Sequence, residues 1–99
     1  MIEDIRAYFG SDSLEEKVYV AMVGAPRSLN RRFLTPTRVS DLLLRRWGDL
    51  GVPQWRVEEA LRRMLLAGFV EARRVPLGGP TQYAYRVKAE WIGEAEKAV

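Results

Sequence analysis

The chain has 99 residues and a mass of 11.4 kDa, with 47% hydrophobic and 29% charged residues. That balance fits one globular domain and not a disordered chain. It holds neither cysteine nor histidine, which excludes disulfides, thiol nucleophiles, Cys/His zinc sites and histidine-based triads or general bases. The net charge is +3, and 13 of the 16 basic residues are arginine, the side chain best matched to planar anions such as phosphate.

The charge is unevenly spread. Residues 1–25 carry −3, residues 26–88 carry +8 and residues 89–99 carry −2. A basic middle between acidic arms reads as a nucleic-acid-binding face. The competing reading is the solvated surface of an arginine-rich, thermophile-type protein. The start, Met1-Ile2-Glu3-Asp4, is acidic where a signal peptide is basic. The longest apolar run, residues 18–25, is far below the ~20 residues of a membrane span. A cytoplasmic protein with no membrane partner is expected, nucleoid-associated if it binds DNA.

In chain order, Ile2, Ile5 and Phe9 recur at helical spacing and predict a short amphipathic helix over 2–9. Ser13-Leu14-Glu15-Glu16 has the capping-box pattern, with Ser13 as N-cap and Glu16 reaching back. The helix it opens carries Leu14, Val18, Ala21, Met22 and Ala25 on one face. Val20 and Val23 make it apolar nearly all round, so it is expected at the centre of the core. Residues 27–34 read as a basic connection, with Phe33-Leu34 as a very short strand. Thr35-Pro36 is an N-cap followed by proline at the first helical position. Val39, Leu42, Leu43 and Trp47 are expected inward on that helix, and Gly48 is its C-cap. Leu50-Gly51-Val52 makes a turn. Pro53 opens a third helix to Ala67, with Val57, Leu61, Met64 and Leu65 inward and Gly68 closing it.

The periodicity then changes. Residues 69–76 and 82–88 are β-prone around Leu77-Gly78-Gly79-Pro80-Thr81, a hairpin with a Gly-rich tip. Tyr83 and Tyr85 are assigned to the hairpin core, with base stacking as the alternative. Residues 89–98 read as a closing helix with Trp91 and Ala95 on one stripe and with Trp91 and Ile92 exposed.

Two helices joined by a Gly-containing turn, followed by a basic Gly-tipped hairpin, resemble the winged helix-turn-helix family, and within it PadR-like and MarR-like transcriptional regulators. Thr35-Pro36-Thr37-Arg38-Val39-Ser40-Asp41-Leu42-Leu43, Leu50-Gly51-Val52, Val57–Leu65 with Gly68-Phe69-Val70-Glu71, and Gly78-Gly79-Pro80 with Tyr85-Arg86-Val87 carry the resemblance. It covers residues 14–88. The expected architecture is mainly α with a small hairpin, α-α-β-α-α-β-β-α. The expected divisions are an N-terminal helical arm (1–12), the winged domain (13–88) and a C-terminal helix (89–99).

The resemblance implies that the third helix (about 53–67) enters the DNA major groove while the 76–82 wing follows the backbone or minor groove. Residues expected at double-stranded DNA are Arg31, Arg32 and Arg38 on the approach, then Gln54, Trp55, Arg56, Glu59, Arg62 and Arg63 on the third helix. Arg73, Arg74, Arg86 and Lys88 join them on the hairpin. Arginine pairs bidentately with guanine or clamps phosphate, and Gln54 near the helix start suits adenine. Two departures stand out: Pro53 offers no donor where many relatives have Ser or Thr, and Glu58 and Glu59 stand where many carry a base. Trp55 is either a partly buried ring on Trp47 or Leu50, or an exposed contact to DNA or protein. The terminal helices either lid the core or form a homodimer through Ile2, Ile5, Phe9, Trp91, Ile92 and Ala95, the latter being preferred. No catalytic residue, metal or cofactor is expected, and a small-molecule effector is left open. A protein-interaction module and a sequence-tolerant architectural DNA-binding protein are the alternative readings.

Overall fold

Helices begin where the capping residues stand. The structure, a computed structural model, describes residues 2–76 and 82–92. Its elements are α1 (Ile2–Phe9), α2 (Leu14–Val23), α3 (Arg27–Asn30), α4 (Pro36–Trp47), α5 (Gln54–Ala67), β1 (Val70–Val75) and β2 (Gln82–Val87). Residues 89–92 form one further helical turn. The Ser13 hydroxyl accepts from the Glu16 amide at 3.2 Å and starts α2. The Thr35 hydroxyl accepts from the Arg38 amide at 3.4 Å, with Pro36 in the first turn of α4. Gly68, left-handed at φ 87°, ends α5, a conformation that glycine adopts without a Cβ penalty.

The Glu16 carboxylate reaches further than a capping box needs. It accepts from the Asp12 amide at 2.6 Å and from Arg6 Nε at 2.5 Å, and so ties α1 to the start of α2. These contacts hold the Glu16 carboxyl below the usual carboxylate range, the Arg6 hydrogen bond being the largest cause.

Helix α2 is central, as its composition predicts. Val18, Tyr19, Ala21 and Met22 are buried against α4, α5 and α1. Val39 and Leu43 from α4, then Val57, Ala60, Leu61 and Met64 from α5, complete the interior with Leu34, Val70, Tyr85 and Val87. Each fully buried side chain of this size contributes roughly 1.5–3 kcal/mol. The hairpin pairs antiparallel from Val70 opposite Val87 to Val75 opposite Gln82. The expected short strand is a single bridge: Leu34 and Tyr85 exchange amide–carbonyl bonds of 2.8 and 2.7 Å. The chain is thus mainly α with a small antiparallel hairpin, in a winged-helix-type topology.

Four local expectations are corrected. Residues 27–30 of the basic connection form the one-turn helix α3. Trp47 is 42% exposed, because it sits at the end of α4 beyond the core, with Nε1 donating to the Lys17 carbonyl at 3.3 Å. Leu65 is exposed, and Ala60 takes the inward place beside Leu61 and Met64. Tyr83 is exposed while Tyr85 is buried on the same strand face. The cause is that the hairpin's base is embedded and its outer half, with Arg73, Arg74 and Tyr83, runs out past the helices. The tip, residues 77–81, lies outside the described residues, as does the C-terminal stretch 93–99.

Candidate nucleic-acid interface

The turn between α4 and α5 is set by local chemistry. Asp49 Oδ1 accepts from the Gly51 amide at 2.8 Å, an Asx-type turn, and Gly51 takes φ 65°. Gln54 Nε2 then donates to Thr37 Oγ1 at 3.1 Å. That bond pins the first turn of α5 to the first turn of α4 and brings Gln54 toward the segment that carries Arg38. Arg38 is exposed, and Arg45 lies two turns along the same face of α4, both bordering a shallow groove floored by Leu29, Leu34 and Leu42. Arg45 was not among the expected contacts, although its i+7 spacing from Arg38 marks it.

The outward face of α5 runs Trp55, Glu59, Arg62, Leu66, with Arg56 and Arg63 on one flank and Glu58 and Leu65 on the other. Trp55 is 63% exposed and Leu66 88% exposed, so Trp55 is the solvent-facing ring of the two readings. The arginines here are engaged within the chain. Arg62 Nη2 lies 3.1 Å from Glu58 Oε1, and Arg63 lies 3.2 Å from Glu59 and 3.7 Å from Glu15. The exposed pairs within α5 hold their partners by a few tenths of a kcal/mol, so an incoming phosphate or base edge competes with them readily, whereas Glu15 is buried. Of the +8 carried by residues 26–88, α5 supplies only +1.

A second group of basic residues stands where the chain enters the sheet. Phe33 is half-buried beside the Leu34 bridge, with the guanidinium carbons of Arg86 and Arg73 at 4.2 and 4.9 Å from its ring centroid. Cation–π contact of this kind orders both arginines without neutralising them. Arg86 is further fixed by Glu71 at 2.6 Å and by the Arg31 carbonyl, which accepts from its Nη1 at 3.5 Å. Arg31, Arg32 and Arg74 are exposed nearby in the chain and strand order, and Lys88 is half-buried. Burial raises the Tyr85 phenol above its usual range, and the nearby Arg62 guanidinium pulls it partly back. Phe33 carried no signal in the sequence, since its partners come from strands about 40 and 53 residues away.

The terminal residues fall differently. Ile5 and Ile92 are 0% and 1% exposed inside the protomer's own core, and Ile2, Phe9 and Trp91 pack partly against it. Ala95 lies outside the described residues. The Ile5 and Ile92 side chains are thus part of the intramolecular core. The Phe69 ring contacts those of Phe9 and Trp91, with centroids 6.0 and 5.4 Å away. Among the described residues no three acidic side chains converge on a point that would hold a metal ion, and no helix is long and apolar enough to cross a membrane.

The fold and this surface define a winged-helix-type module with arginine concentrated around one sheet edge. No family model matches the chain, and no curated protein matches its sequence.

Proposed function

We propose that the protein binds double-stranded DNA as a small transcriptional regulator, with α5 in the major groove and the hairpin along the backbone. The observation that carries this reading is the arginine set around Phe33 and the start of α4: Arg31, Arg32, Arg38, Arg73 and Arg86, with Glu71 paired to Arg86 and Asp41 beside Arg38. Phosphate contacts from these residues set register and orientation, and base contacts come from Gln54, Arg56, Arg62 and Arg63 on α5. The reading needs no catalytic group, cofactor or metal.

Selection of bound duplexes from a random-sequence pool by the purified chain tests it. Enrichment of a short motif supports a regulator. Retention of DNA without enrichment supports the architectural variant, and failure to retain duplex at physiological salt removes DNA binding altogether.

A further inference from the structure

An acid stands near the centre of the outward face of α5. Glu59 and Arg62 lie one turn apart there, between Trp55 and Leu66. The Glu59 side chain is 50% exposed, yet it is held from the core side. Arg63 Nη2 lies 3.2 Å from Glu59 Oε1, and Arg63 Nη1 lies 3.7 Å from Oε1 of Glu15, which is buried on α2. The core thus fixes Glu15, Glu15 holds Arg63, and Arg63 holds one oxygen of Glu59. Among the described residues the Glu59 carboxylate has no other partner. Glu58 differs: it stands on the flank and pairs with Arg62 alone, at 3.1 Å.

We infer, on the reading that α5 enters the major groove, that Glu59 determines specificity there by requiring a cytosine opposite it. A carboxylate only accepts hydrogen bonds, and the phosphates of both strands repel it. It gains only where a base edge presents a donor. In the major groove those donors are cytosine N4 and adenine N6. Adenine sets its N7 acceptor beside that donor and so repels one side of the carboxylate, whereas cytosine presents the N4 donor without an acceptor of its own. The guanine paired with that cytosine offers O6 and N7 to an arginine, and Arg62 is the next polar residue along the outward face. Every duplex without the donor is penalised, so Glu59 discriminates by repulsion as well as by attraction. Arg63 is its positioning residue, and with five N–H groups it has donors left for a base edge.

Selection from a random-sequence duplex pool, run with the parent chain and with Glu59→Gln, tests the inference. The substitution keeps the side chain's shape, removes its charge and is expected to leave the helical circular-dichroism signal unchanged. The parent is expected to enrich cytosine at one position of its motif. Glu59→Gln is expected to move that position to adenine, whose N6 and N7 suit a carboxamide, and to leave the other positions alone. Fluorescence anisotropy then compares the selected duplex with one in which that C·G pair is T·A. The parent is expected to lose roughly 10- to 100-fold in affinity, and Glu59→Gln little of that. Identical motifs for the two proteins overturn the inference, as does a loss in Glu59→Gln that falls evenly on all sequences, the mark of a merely structural ion pair. Duplex retained without any motif also overturns it, and each of these results leaves DNA binding standing. A pool that is not retained at physiological salt removes the DNA reading and the inference together.

Discussion

The terminal elements and α5 carry similar apolar stripes, and the fold uses them in opposite ways. Ile5 on α1 and Ile92 in the last described turn are inside the core, whereas Trp55 and Leu66 on α5 face solvent. On α5 the core is served by the other stripe, Val57, Ala60, Leu61 and Met64, and Trp55 and Leu66 stay on the solvent side. Apolar periodicity marks what a helix buries. It does not tell whether the burial is within the chain or against another molecule.

The largest effect expected from this difference is on stability. Ile5→Ala is expected to lower the free energy of unfolding by about 2–5 kcal/mol, while Leu66→Ala stays within about 0.5 kcal/mol of the parent. Urea denaturation at a concentration low enough to keep the chain monomeric measures both. Equal losses at the two positions would erase the distinction between the regions.

Helix ends were legible because their causes are local. Ser13, Thr35-Pro36, Gly48 and Gly68 each act within a turn of their own position, and the winged-helix-type order follows from them. What was not legible depends on distant chain. Tyr83 and Tyr85 alternate identically, yet only Tyr85 meets Leu34 and the helices. Trp47 fits the inward stripe of α4 but lies at its end, with only its indole N–H engaged on α2. The Phe33 arrangement needs a sheet register that no spacing encodes. The candidate DNA residues were identifiable as charges. Which of them already hold a glutamate, as Arg62, Arg63 and Arg86 do, became visible only in three dimensions.

A smaller effect sharpens the account of the N-terminal arm. The Glu16 carboxyl titrates lower in the folded chain than in the unfolded one, chiefly because Arg6 donates to it. Its contribution is therefore present at neutral pH and is lost as pH falls from the ordinary carboxylate range through the lowered folded value. Glu16→Gln is expected to be less stable than the parent at pH 7 and to converge on it as the solution is acidified. Thermal melts across that range check it. A constant gap between the two proteins would show that the Arg6 contact does not anchor α1.

On the proposed reading, the arginines around Phe33 and the start of α4, more than those of α5, supply the phosphate contacts. Fluorescence anisotropy of a labelled duplex titrated at several salt concentrations tests it most directly. With roughly four to six phosphates neutralised per protomer, log K is expected to fall against log salt with a slope of about −0.9 per contact. Arg32→Ala/Arg38→Ala is expected to flatten that slope by about 2 on every sequence, while Arg62→Ala/Arg63→Ala mainly reduces preference between sequences. A slope near zero for the parent, or one untouched by the Arg32 and Arg38 substitutions, would contradict the account.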